Sequence, residues 1–214
     1  MSSATVAPRT RGLTQKQIFS LFGVVPLSVY VVVHLWTNMY ALAGASAFNE
    51  RVRQSRESPG FLFLEIVGLG FPLVFHAWIG IKAVFQMRAN NGHYRRLTNW
   101  KYLLQRISAV GILLFLGAHV IKARILPATQ GRMEDWAGMH EALSEPLTFT
   151  VYALGLLGVA YHLANGLWLA SLTWGIAVSP RAQKKLEVAS MIFFVLLLAM
   201  SGLALWGFAP FQNA

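Results

Sequence analysis

Residues 17–49 read QIFSLFGVVPLSVYVVVHLWTNMYALAGASAFN, and nothing between Lys16 and Glu50 carries a formal charge. A hydrocarbon core about 30 Å thick is crossed by roughly 20 residues rising about 1.5 Å each, so this run is long enough to span a bilayer. A helix over about 18–43 fits it. Pro26 inside it removes one backbone donor and kinks the helix locally, which membrane helices tolerate when neighbours compensate. His34 is the one basic side chain in the run.

The remainder of the chain repeats the pattern. Ser58-Pro59-Gly60 breaks the chain, and further spans fit at about 61–86, 103–126, 147–177 and 188–210. In the third, the uncharged stretch is only Ile107 to Ile121, and Arg106 and Lys122 lengthen it by reaching to the two interfaces. Composition agrees: 56% of the 214 residues are apolar and 12% charged, and mean hydropathy is +0.51, against about a quarter charged in soluble domains. Five spans and short loops nearly exhaust the chain. The expected fold is an all-α integral membrane protein of five transmembrane helices, the first four bundled around a pair of stacked cofactors.

The absence of cysteine excludes disulfides, thiolate-held iron–sulfur clusters and haem attached through C-x-x-C-H. Met1–Lys16 is polar and lacks the apolar core of a cleavable signal peptide. The formal charge of +10 is a matter of orientation. Twelve of the 18 Lys and Arg fall in the N-tail, in 82–106 and in 178–187, and the other six on the opposite side; of the eight acids only Glu187 is on the first side. The N-terminus is therefore expected in the cytoplasm and the C-terminus outside. With five spans, the basic face suits anionic lipid or a docked soluble partner, not nucleic acid.

Four histidines, His34, His76, His119 and His162, stand one in each of the first four spans, while His93 and His140 read as loop residues. Spans one and three run the same way, and His34 and His119 each lie about 16 residues past the start, roughly 24 Å along. Spans two and four run back, with His76 and His162 each about 15 residues in. One pair thus shares a level nearer the outside, the other a level nearer the cytoplasm, roughly 15 Å apart. Two histidines at one depth on two helices is what bis-imidazole ligation of a haem requires. Without covalent attachment such haem is b-type, and two axial imidazoles suit electron transfer rather than oxygen chemistry. Gly23, Gly80, Gly155, Gly158 and Gly166 fall within roughly 40° of their own helix's histidine, either admitting a flat macrocycle or packing helices together. The competing use of the histidines is a haem-free proton channel or transporter.

The run from Ser20 to Leu35, SLFGVVPLSVYVVVHL, followed by Asn38, resembles the first helix of the di-haem cytochrome b anchor of succinate:quinone oxidoreductases. Helix count, N-in orientation, Phe75-His76-Ala77 and Tyr161-His162 extend the likeness over essentially the whole chain, to the single-polypeptide, five-helix anchors of succinate dehydrogenases and fumarate reductases. The resemblance implies two haem b groups, the proximal (cytoplasmic) one on His76 and His162 and the distal (outer) one on His34 and His119. It implies an FAD flavoprotein and an iron–sulfur subunit docked on the cytoplasmic face of the inner membrane, and a quinone, menaquinone in this type. No dicarboxylate site is expected on this chain. Ser20, by motif match, with His93 and Trp100, is a candidate for the inner haem propionates, and Lys122 and Arg124 for the outer; interfacial snorkelling is the plainer use of the last two. Glu65 is a candidate at the quinone site, or simply interfacial. Ala160 stands where proton-moving fumarate reductases of this type carry a glutamate, so the likeness does not extend to that pathway. Another quinone-linked cytochrome b, of hydrogenase or formate dehydrogenase type, is the alternative within the class.

Overall fold

The computed structural model describes residues 10–86 and 97–209. Five helices long and apolar enough to cross a membrane run Gln15–Ala43 (α1), Phe61–Phe85 (α3), Asn99–Thr129 (α4), Pro146–Thr173 (α6) and Pro180–Gly207 (α7). Two shorter helices, Ala45–Glu57 (α2) and Trp136–Ser144 (α5), lie in the connections. No strand occurs among the described residues, as expected where each backbone donor and acceptor in lipid must be satisfied within its own segment.

The helices outrun the apolar stretches that mark them in sequence. α4 begins at Asn99 and α7 at Pro180, because Lys and Arg with long stems leave the backbone ladder intact while their heads reach polar surroundings. α7 has a local start signal: Ser179 accepts from the Ala182 amide ahead of Pro180 in the first turn. α6 starts likewise, Glu145 accepting from the Leu147 and Thr148 amides before Pro146. It ends at Thr173, short of the expected 177, where Gly175 turns at φ 67°, a conformation glycine adopts freely.

Three spans contain π-helical turns, at Gly23–Leu27, Leu64–Gly70 and Ile121–Ile125. In the first, Pro26 supplies no N–H, and the Ser28 hydroxyl donates to the Gly23 carbonyl at 3.0 Å. The second and third hold Glu65 and Arg124. π-turns are rare and concentrate at functional sites.

Helix α6 is central, flanked by α4 and α7. A third of its most apolar stretch is buried, against none of that of α4. Small residues make the close approaches, among them Ala160, Ala164, Ser201 and Ala204, as lipid-embedded helices require. A cap closes the end where the chain finishes: Phe48 of α2 meets Phe208 edge-on at 4.9 Å, and Trp136 Nε1 donates to the Gly207 carbonyl at 3.0 Å. His140, expected in a loop, lies instead on α5, with its ring stacked on Trp136 at 4.5 Å and Nδ1 3.1 Å from the Phe208 carbonyl. The helix is missed in sequence because its start depends on the Asp135 carboxylate capping the Gly138 amide, a short-range signal in a polar stretch.

Candidate metal-ligating histidine pairs

The four intramembrane histidines meet in two pairs. The rings of His34 (α1) and His119 (α4) lie 5.8 Å apart, centre to centre, at 81°. Those of His76 (α3) and His162 (α6) lie 6.3 Å apart at 89°. His76 contacts Phe19 near the start of α1 and His162 contacts α4 near its start, so this pair lies toward the N-terminal side. His119 meets Tyr152 near the start of α6, which sets the other pair toward the capped side.

Each ring turns its Nδ1 to a partner. For His76 it is the Phe19 carbonyl at 3.3 Å, and the two rings stack at 4.4 Å. For His162 it is the Ser108 hydroxyl at 3.2 Å, with the Gln105 amide 3.3 Å away. For His119 it is the Tyr152 hydroxyl at 3.2 Å, and for His34 the Tyr30 hydroxyl at 3.5 Å. This leaves the four Nε2 atoms as the nitrogens without a hydrogen-bond partner among the described residues. A metal-binding imidazole is held in just this manner, one nitrogen on a neighbouring protein group and the other on the metal.

Ligand geometry sets the spacing such a pair must have. An imidazole nitrogen binds a metal at about 2 Å and sits about 1 Å from its ring centre, so two rings on one ion have centres roughly 6 Å apart. Both pairs match that figure. Each pair supplies two donors, and no cluster of three or more His, Cys, Asp or Glu suited to a metal occurs among the described residues. Such a donor set suits an ion already held in the plane of a macrocycle.

The glycines near these rings make room for side chains. A Cβ on Gly23 would lie 2.6 Å from Cε1 of His76, and one on Gly155 would lie 2.3 Å from the ring of Phe115. Phe115 in turn lies beside His119, ring centres 5.6 Å apart. Gly158 and Gly166 face Ile112 and Gln105 at ordinary distances, and Gly80 faces open space.

The remaining candidates occupy the two ends of the bundle. Ser20 accepts from Trp174 Nε1 at 2.8 Å, joining the start of α1 to the end of α6. Trp100 is 46% exposed at the start of α4, and His93 lies outside the described residues. Lys122 donates to Thr148 Oγ1 at 2.8 Å, and that hydroxyl donates to Glu145. The Thr148 hydroxyl and amide hold the Glu145 carboxyl below its ordinary range. Arg124 pairs with Glu65 through both carboxylate oxygens. Sequence reasoning misses Phe19, Gln105, Ser108, Tyr152 and Trp174. Tyr30, four residues before His34 and so on the same helix face, is the one partner whose position is readable from spacing.

The family model described as succinate dehydrogenase/fumarate reductase transmembrane subunit matches residues 86–201. The succinate dehydrogenase cytochrome b558 subunit of Bacillus subtilis (strain 168) is 35% identical over 182 residues, covering 85% of this chain and 90% of that protein. With five membrane-crossing helices and these matches, the chain belongs to the family of transmembrane subunits of succinate dehydrogenase and fumarate reductase.

Proposed function

We propose that the chain carries electrons between an iron–sulfur subunit and a quinone through two b haems. His76 and His162 ligate the one toward the N-terminal side, and His34 and His119 the one toward the capped side. The observation that carries this reading is the doubled geometry: two imidazole pairs at about 6 Å, each ring with its Nδ1 already occupied. The name of the Bacillus subtilis relative, a cytochrome b, supports haem b as the cofactor. Bound there, it supplies one-electron transfer; the polypeptide orients the ligands, excludes water and sets the distance.

The excess of basic residues in the N-tail and in the 82–106 and 178–187 stretches supports an N-in orientation in the cytoplasmic membrane. The same face then receives the iron–sulfur subunit, with the FAD flavoprotein beyond it. The resemblance in the first helix favours menaquinone, with Glu65 near its site. Ser20, His93 and Trp100 are assigned to the inner propionates, Lys122 and Arg124 to the outer. A reduced-minus-oxidised spectrum with a pyridine haemochrome count tests the reading: two haems b per chain are expected, and a haem-free chain would make the histidines a proton relay.

A further inference from the structure

The rings of His76 and His162 stand crossed at 89°, and each is gripped by a different device. On the His76 side one residue does everything: Phe19 stacks parallel to the ring, 5° apart, and its carbonyl accepts from Nδ1. On the His162 side the grip comes from α4. The Ser108 hydroxyl donates to the Gln105 carbonyl at 3.1 Å, so its lone pair is free to accept the Nδ1 proton of His162 at 3.2 Å. The Gln105 side-chain amide donates to the backbone carbonyl of His162 at 3.2 Å. Its oxygen accepts from Asn165 at 2.6 Å.

Gln105 and Asn165 are 9% and 7% exposed. A buried amide left unsatisfied in a membrane interior is strongly destabilising. Here the donors and acceptors close on His162 itself, its ring on one side and its backbone on the other. Polar side chains also tie membrane helices together; this network differs in meeting the His162 ring as well as its backbone.

We propose that Ser108 and Gln105 are positioning residues that hold the His162 imidazole perpendicular to that of His76. This rests on the reading of those histidines as haem ligands. The planes of two axial imidazoles set the splitting of the iron d orbitals: crossed planes leave the two π-type orbitals nearly degenerate, parallel planes separate them. Crossed rings therefore give a highly anisotropic low-spin signal in electron paramagnetic resonance, and relaxed rings a more rhombic one. The hydrogen-bond partners of a ligand tune the metal through such orientation and through ligand basicity.

The test uses the assembled complex, oxidised, with Ser108→Ala, Gln105→Leu and Ser108→Thr. Haem content, electron paramagnetic resonance and the midpoint potential of each haem are read in all three. Ser108→Ala and Gln105→Leu are expected to move the largest g value of the inner haem downward, leaving the outer haem's signal in place. Ser108→Thr, which keeps the hydroxyl, should retain the wild-type signal. Loss of the inner haem in Ser108→Ala with retention in Ser108→Thr would equally support the hydroxyl's role. An unchanged inner signal in both Ser108→Ala and Gln105→Leu, with two haems bound, would overturn the positioning role alone. So would equal loss of the inner haem in Ser108→Ala and Ser108→Thr. A wild-type complex whose anchor binds no haem would overturn the ligand reading beneath it.

Discussion

Glu65 and Arg124 form a two-pronged ion pair between the second and third spans, with Nε and Nη2 of the arginine 2.9 and 2.8 Å from the two carboxylate oxygens. Each residue sits in a π-helical turn, Leu64–Gly70 and Ile121–Ile125. A π-turn inserts one extra residue, which rotates the remainder of the span by about 100° relative to an unbroken α-helix. The pair thus depends on local irregularity in both helices. Both side chains are part-exposed, 40% for the arginine and 27% for the glutamate, and stand near the helix ends at Phe61 and Thr129, within reach of the polar edge of the bilayer, which screens the attraction.

That exposure limits the pair's contribution. A double-mutant cycle of Glu65→Gln and Arg124→Gln, read by unfolding in detergent, should give a coupling of about 1 kcal/mol. On the proposed placement of Glu65 at the quinone site, Glu65→Gln should also slow succinate-to-quinone turnover more than succinate-to-dye turnover at the flavoprotein. Equal effects on the two rates would remove Glu65 from the quinone site.

Alanine at three glycines separates tight from open positions. Gly155→Ala and Gly23→Ala place a methyl 2.3 Å from Phe115 and 2.6 Å from His76, and overpacking of this kind costs about 1–3 kcal/mol. Gly80→Ala, with nothing within 4 Å, should be close to neutral. Gly23→Ala should also lower inner-haem content selectively, because the displaced group is the proposed ligand ring of His76. Thermal midpoints and haem counts on the three variants check this.

The capped end should respond to pH. Burial, aided by the neighbouring Asp135 charge, pushes the Glu134 carboxyl up to about 7. An acid with a raised folded pKa contributes stability that is full below its ordinary value of 4.5 and is lost as pH rises through about 7. The thermal midpoint should therefore fall as pH is raised across that window, and the fall should be shallower in Glu134→Gln. An identical slope in the two proteins would rule out Glu134 as the cause.

The physics of helices decides how much of this was legible in sequence. A fixed rise per residue converts sequence spacing into depth, so His34 with His119 and His76 with His162 were readable as level with one another, and these same histidines are neighbours in the structure. Lateral partners were not readable. Whether Tyr152 or Gln105 faces a histidine on another helix depends on helix rotation, which packing decides and spacing along one helix does not. The π-turns were invisible too, since nothing in LEIVGLG (64–70) or IKARI (121–125) distinguishes them from ordinary α-helix. The side chains that the glycines make room for were not readable either: Gly23 faces His76 on another helix, and Gly155 faces Phe115.

If the four histidines act as two ligand pairs, as proposed, double replacements separate the pairs most directly. His76→Ala with His162→Ala removes both ligands of one haem, so the pyridine haemochrome count should fall to about one per chain. His76→Ala with His119→Ala removes one ligand from each, so the count should approach zero. Equal haem content in the two double variants would contradict the pairing.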